Sequence, residues 1–79
     1  MYGADKSDAE IENNFRFQAT RIGMRALNYT AELPEIHRAA MLENLMGLRN
    51  VEVPKSGMGT QAYNSTIGFI DGVISVCFE

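Results

Sequence analysis

The first third of the chain carries apolar residues at every third or fourth position, with polar residues on the opposite side. The apolar positions are Ile11, Phe15, Ala19, Ile22, Ala26, Tyr29 and Leu33. This spacing is typical of one face of an amphipathic helix. Ser7 and Glu10 stand three positions apart at its start, in the pattern of a capping box. The sequence therefore predicts a helix over residues 8–32, after a loose tail at residues 1–6.

Two features inside that helix indicate how it packs. Gly23 costs about 1 kcal/mol relative to alanine in a helix, so we expect another element to pass close to it. Glu12 and Arg16 are one helical turn apart and predict a favourable ion pair.

A second helical pattern begins at Pro34. Proline disfavours helix in the residue before it and suits the first position of a new helix. Apolar residues then form a wide stripe, which predicts a helix over residues 34–49. Leu33 and Pro34 would form the corner of an antiparallel helical hairpin. Residues 50–59 are predicted to be a loop, because residues 51–54 favour extended backbone and two glycines follow.

The apolar C-terminal segment, residues 61–79, fits two templates. As a helix it places a stripe of small and polar residues at spacings of three and four. These residues are Gln61, Asn64, Ser65, Gly68, Asp71, Gly72, Ser75 and Glu79. The alternative is a β-hairpin at residues 66–78, with Asp71-Gly72 as its two-residue turn. The helix is favoured because the hairpin leaves residues 61–65 unexplained. The predicted fold is a small all-α, three-helix domain spanning residues 1–79, with an α+β fold as the alternative.

Self-association is expected from both templates, because each leaves apolar residues on more than one side of the segment. A domain of 79 residues also has a marginal core, and oligomerisation often supplements such cores. The predicted interface residues are Phe69, Ile70, Val73, Val76, Phe78, Gly68 and Gly72.

Charge and cysteine content narrow the classes of partner. The net charge is −3, with seven basic residues dispersed among ten acidic ones, which argues against binding a nucleic-acid polymer. The C-terminal apolar stretch is interrupted by Gly68, Asp71, Gly72 and Ser75, so no membrane span is expected. Cys77 is the single cysteine and no export signal is visible, which favours the cytoplasm.

The loop before the C-terminal segment is the best candidate for a ligand site. Its glycines, hydroxyls and lysine precede a predicted helix, whose N-terminus favours anions. The residues predicted to bind a phosphate or carboxylate are Lys55, Ser56, Gly57, Gly59 and Thr60, with Arg21 and Arg25 as further counter-charges. The alternative is a flexible connection between two helices.

Catalytic chemistry is not indicated. A single histidine, His37, and a single cysteine, Cys77, form no recognisable triad or metal-ligand pattern. We therefore expect no enzyme, no metal and no cofactor.

The expected function is that of a non-enzymatic intracellular homo-oligomer that sequesters a phosphorylated small molecule or a nucleotide. One alternative is a protein–protein inhibitor or adaptor, and another is a small enzyme with a site shared between subunits. The size and the lack of motifs suit an accessory protein of a phage or mobile element, which would sequester a small ligand or block a host protein.

Overall fold

The computed structural model describes residues 7–28 and 34–78, and nearly all of these residues are helical. Helix α1 spans Asp8–Asn28, α2 spans Glu35–Gly47, and α4 spans Thr60–Phe78. A π-helical segment, Leu48–Glu52, and a short helix α3, Val53–Lys55, extend α2. The all-α prediction with three long helices is confirmed for the described residues.

The β-hairpin alternative at residues 66–78 is wrong. Asp71 and Gly72, its expected turn, lie inside α4. Asp71 instead forms an ion pair with Arg49, with 2.6 Å between Arg49 Nε and Asp71 Oδ1. A helix satisfies the backbone hydrogen bonds of this segment locally, whereas a lone two-stranded hairpin is marginal in water.

The start of α1 is held by the predicted capping box. The Ser7 backbone N–H donates to Glu10 Oε1, and the Glu10 N–H donates to Ser7 Oγ, both at 3.2 Å. This reciprocal pair satisfies two of the amides that a helix N-terminus leaves without a partner in the helix. The predicted end of this helix, residues 29–32, and the corner residue Leu33 lie outside the described residues.

The relative directions of the helices follow from the contacts between them. Three pairs join α1 to α4 in the same order along both helices: Asp8 with Gly59, Glu12 with Ser65, and Arg16 with Phe69. The two helices are therefore parallel. Two pairs join α2 and its extension to α4 in reverse order: Arg38 with Phe78, and Arg49 with Asp71. Helix α2 thus runs antiparallel to the other two, as the helical-hairpin prediction requires.

The core lies where the helices converge. Its buried residues are Phe15, Ala19, Leu45, Val53 and Ile70. Thr66 is also buried, and its hydroxyl donates to the Ala62 carbonyl oxygen at 2.8 Å. This bond removes the cost of burying an unpaired polar group.

Helix α1 approaches α4 most closely at Gly23. A Cβ at Gly23 would lie 2.8 Å from Val73 Cγ1 and 3.0 Å from Cys77 Sγ. Ala19 and Ala26, one turn to either side, are fully buried. The close neighbour expected at Gly23 is therefore confirmed, and it is α4.

The loop predicted at residues 50–59 is largely helical, and this prediction is corrected. The chain remains helical through Lys55, so the connection to α4 is only residues 56–59. Pro54 has no N–H, and its ring would clash with the carbonyl four residues earlier in a regular α-helix. The wider π-helical segment precedes it, with the Val53 N–H donating to the Leu48 carbonyl oxygen. Complete burial of Val53 favours this helical path over the extended backbone that precedes most prolines.

Candidate functional site

The predicted anion site lies at the connection between α3 and α4. Gly57 has a φ of +79°, which suits glycine, and the Ser56 hydroxyl donates to the Val53 carbonyl oxygen at 2.6 Å. The Gly59 N–H donates to Asp8 Oδ2 at 3.0 Å. The chain's own carboxylate therefore already lies at the N-terminus of α4, where the helix dipole favours negative charge.

The surroundings of this connection are acidic. A shallow cavity of about 560 Å³ beside Gly59 and Thr60 is lined by Asp8 and Glu12, among other residues. Two carboxylates repel a bound phosphate. Lys55 is exposed at the end of α3. The geometry favours a structural role for Gly59 and Ser56 over binding of an added anion.

The structure does not bring Arg21 and Arg25 to this connection. Asp8 marks the end of α1 that contacts Gly59. Arg21 is thirteen residues further along α1, about 20 Å at a rise of ~1.5 Å per residue, and Arg25 is about 26 Å away. The residues predicted to share one ligand therefore belong to two separate regions.

Arg21 and Arg25 instead line a cavity on the surface of α1, whose described lining residues all belong to that helix. This cavity of about 200 Å³ is bounded by Gln18, Arg21, Ile22 and Arg25. A cavity of about 450 Å³ adjoins it, because Gln18 and Ile22 also line the second space. The remaining walls of that second cavity are Glu43, Asn44, Gly47, Leu48, Val51 and Glu52. We call the two together the α1–α2 groove.

The groove has an apolar floor and rims of opposite charge. Ile22 comes from α1, and Leu48 and Val51 come from the π-helical segment. The α1 rim carries the two arginines, and the other rim carries Glu43 and Glu52. Gly47 presents no side chain to it, and among the described residues nothing lies within 4 Å of a Cβ built there.

The groove could not be recognised in the sequence because residues on its α2 side fall in different predicted elements. Leu48 lies within the predicted second helix, residues 34–49, whereas Val51 and Glu52 lie in the predicted loop, residues 50–59. The available signal was the apolar spacing of Leu45, Leu48 and Val51, which continues the helical stripe past residue 49.

The predicted interface residues of α4 divide into covered and exposed positions. Ile70 is fully buried in the core of its own chain, so the structure places it away from any partner surface. Phe69 lies under the Arg16 guanidinium, with 5.0 Å between the guanidinium carbon and the centre of the ring. Val73 packs against Gly23.

The remaining predicted interface residues lie nearer the surface. The Arg38 guanidinium lies 5.5 Å from the ring centre of Phe78. Gly68, Gly72 and Val76 are exposed, and Val76 retains 74% of its accessible surface. Much of the apolar segment is thus covered by α1 and α2.

Larger apolar side chains are exposed on α1 instead. Phe17 retains 61% of its accessible surface and Met24 retains 56%. Both lie on the side of α1 opposite its buried residues Phe15 and Ala19.

Polar groups between α1 and α4 form a small network. Glu12 Oε2 accepts a hydrogen bond from Ser65 Oγ and another from Arg16 Nη2, each at 2.7 Å. The predicted Glu12–Arg16 pair is therefore confirmed. The Ser65 hydroxyl, followed by the Arg16 guanidinium, holds the pKa of Glu12 below its ordinary value of 4.5. On the α2 side, Asp71 raises the pKa of Arg49.

Histidine and cysteine, two side chains suited to catalysis and metal binding, each occur once in the chain. His37 is exposed on α2, and Cys77 is half-buried beside Gly23. Residues 7–28 and 34–78 contain no group of three or more His, Cys, Asp or Glu side chains placed to hold a metal ion. Within the same ranges, no helix combines the length and apolar character needed to span a membrane.

Comparison of this chain with protein-family models, with curated protein sequences and with solved structures found no match.

Proposed function

We propose that this chain is a small non-enzymatic binding protein that acts as a homo-oligomer and holds a helical segment of a partner protein in its α1–α2 groove. The observation that carries the proposal is the groove itself, with an apolar floor between two charged rims. An amphipathic helix binds by placing its apolar face in such a groove.

The shape of the groove favours a protein segment over a small molecule. Sites for small ligands are enclosed clefts that bury most of the ligand. Here the two adjoining spaces follow α1 from Gln18 to Arg25 along its surface. That stretch is about 10 Å long at ~1.5 Å per residue, or two turns of a bound helix.

The rims define the charge pattern of the partner. Arg21 and Arg25 are one turn apart and suit acidic residues at the same spacing. Glu43 and Glu52 suit basic residues on the other side of the bound helix. The expected segment has an apolar stripe, acidic residues along one border and basic residues along the other.

A peptide selection with matched variants tests this proposal. Helical peptides are selected from a display library against the purified protein, and their binding is measured to Gly47→Arg and Gly68→Arg proteins. Both glycines are in helices and have open space around a built Cβ among the described residues. Only Gly47 lines the groove. The two variants therefore add the same side chain and charge at different places.

The proposal expects selected peptides to bind wild type and Gly68→Arg alike and to lose at least about tenfold affinity for Gly47→Arg, the change that 1.4 kcal/mol produces. Nuclear magnetic resonance shifts on peptide addition should map to Gln18, Ile22 and Val51. Equal binding to both variants, or shifts confined to another surface, would overturn the groove as the site.

A second candidate, sequestration of a phosphorylated small molecule, is favoured by one observation. Arg21 and Arg25 line the same cavity of about 200 Å³. Paired arginines bind phosphate oxygens well. The carboxylates of Glu43 and Glu52 in the adjoining space oppose an anion, which is why this candidate ranks second.

Thermal-shift measurements with inorganic phosphate and with nucleotides separate the two possible anion positions. If phosphate binds in the groove, stabilisation disappears in Arg21→Gln and Arg25→Gln and persists in Lys55→Gln. The reverse result would place the anion at the α4 N-terminus. Absence of any shift would remove this candidate.

A further inference from the structure

The outer face of α1 has a regular arrangement that the core does not use. Glu10, Phe17 and Met24 are spaced seven residues apart and are all exposed. Seven residues are close to two helical turns, so the three side chains form one line along α1. We call this line the outer stripe. It lies opposite the buried residues Phe15 and Ala19.

The apolar part of the outer stripe is large for a solvated helix face. Phe17 and Met24 each retain more than half of their accessible surface. The Arg21 guanidinium lies 5.7 Å from the centre of the Phe17 ring and covers part of one face. Aromatic side chains and arginine together are typical of the centre of a protein–protein interface.

The charges beside the outer stripe identify what can cover it. Its N-terminal end carries Glu10, and towards its C-terminal end it is flanked by Arg21, which lies over Phe17. Two such faces match when they meet head to tail, because the acidic end of each then meets the basic end of the other. A parallel pairing would place like charges together. The face is thus complementary to itself, as a two-fold symmetric interface requires.

We propose that the occupant of the outer stripe is a second copy of this chain, with the two α1 helices antiparallel and Phe17 at the two-fold axis. Glu10 and Met24 are each seven residues from Phe17, so Glu10 of one copy lies level with Met24 of the other. Its carboxylate then lies about one helical turn from Arg21 of the other copy. Among the described residues the cap uses Oε1 of Glu10, which allows Oε2 to accept an arginine N–H.

This inference rests on the homo-oligomer in the proposed function and names its surface. It shares Arg21 with the rim of the α1–α2 groove, so the two surfaces are distinguished by Gly47→Arg and Phe17→Ser, which each touch only one of them. The groove residue Gly47 is on α2, away from the outer stripe. Loss of peptide binding in Gly47→Arg and loss of self-association are therefore separate results.

Light scattering over a dilution series tests the surface, using Phe17→Ser and a matched control, Ile36→Ser. Ile36 is 73% exposed on α2, so both changes remove an exposed apolar side chain. Circular dichroism confirms that each variant is folded. The proposal expects wild type and Ile36→Ser to be dimers, and Phe17→Ser to dimerise at least about tenfold more weakly, as for an interface hot spot.

A charge exchange tests the antiparallel arrangement. Glu10→Arg alone should be monomeric, because the introduced guanidinium would lie near Arg21 of the other copy. The Arg21→Glu protein should also be monomeric, because the introduced carboxylate would lie near Glu10 of the other copy. An equimolar mixture of the two should form a dimer, since both ends of the interface then pair opposite charges.

The possible failures point to different conclusions. A wild-type protein that stays an 8.8 kDa monomer across the dilution series overturns both the homo-oligomer and this surface. A dimer that is unaffected by Phe17→Ser and by Glu10→Arg keeps the homo-oligomer and overturns the outer stripe. In a parallel pairing, residue 10 of each copy faces residue 10 of the other, so Glu10→Arg replaces one like-charge pair with another. If Phe17→Ser weakens dimerisation and Glu10→Arg leaves it unchanged, the antiparallel arrangement is overturned.

Discussion

The two sides of this helical bundle are packed in different ways. Between α1 and α4, small residues bring the helices together: Ala19, Gly23 and Ala26 are buried, and Gly23 admits Val73 and Cys77 at contact distance. On the other side, α2 contributes one fully buried side chain, Leu45, to the core among its described residues. Elsewhere α2 and α1 are far enough apart to leave the α1–α2 groove open.

The difference shows that a small residue closes an interface or leaves it open according to what packs against it. A helix face of alanine and glycine lets a neighbouring helix approach closely and excludes a ligand. Gly47, by contrast, faces a space that no nearby side chain fills among the described residues. Glycine therefore accompanies a closed interface at Gly23, where α4 fills the space beside it, and an open groove at Gly47, where no described element does.

The largest effect is expected from truncating a core residue shared by the helices. Ile70→Ala should lower the free energy of unfolding by about 2–5 kcal/mol, because it removes apolar contacts and leaves a cavity. Urea denaturation followed by circular dichroism measures it. Val76→Ala, on the same helix at a 74% exposed position, is the control and should change stability by no more than about 0.5 kcal/mol. Similar losses of stability in the two variants would mean that Ile70 does not lie in the core.

A smaller effect is expected at the closest approach of α1 and α4. Gly23→Ala gains about 1 kcal/mol of helix propensity. It also forces a Cβ against Val73 Cγ1 at 2.8 Å, and such overpacking typically costs ~1–3 kcal/mol. The net result should be destabilisation, measured as a lower urea midpoint.

Two comparisons isolate the cause of that loss. Gly68→Ala, in open surroundings on α4, should raise stability by up to about 1 kcal/mol through helix propensity alone. Combining Gly23→Ala with Val73→Ala should cost less than the sum of the two single changes, since the second removes the crowded methyl group. Additive losses, or a stabilising Gly23→Ala, would show that the helices are further apart.

The smallest effect concerns the polar contact between the same two helices. The folded protein lowers the pKa of Glu12, so its carboxylate stabilises the fold above the ordinary value near 4.5. That contribution is lost as the pH falls through the folded pKa. Stability measured at a series of pH values should show a difference between wild type and Glu12→Gln at pH 6 that shrinks in acid. Ser65→Ala removes the hydroxyl that lowers the Glu12 pKa most. This variant should therefore show part of the same pH-dependent loss of stability. A difference that does not vary with pH would contradict this contact.

Much of the fold could be predicted from local signals. The capping box, the apolar spacing and the Glu12–Arg16 pair all depend on residues within one or two turns, and each is confirmed. The polar stripe that favoured helix over hairpin at residues 61–78 was also a local pattern. Its success shows that a periodic pattern over a whole segment outweighs a two-residue turn signal.

The errors arose where tertiary contacts outweigh local preference. Residues 51–54 favour extended backbone, yet Val53 is fully buried and the chain stays helical past Pro54. Likewise, the sequence places Ile70 at an interface between chains because it does not show that the protein's own helices bury this residue. The α1–α2 groove could not be predicted because it depends on how two helices separate in space.

Native-state hydrogen exchange tests most directly the claim that α1 and α4 form the closed side and α2 the open side. Amides between Phe15 and Gly23 and between Thr66 and Val73 should exchange only with global unfolding. Amides in the middle of α2, near Leu42, should exchange through smaller openings, with protection lower by at least about tenfold. Protection in α2 equal to that in α4, or lower protection in α1 than in α2, would show that α1 and α4 do not form the closed side.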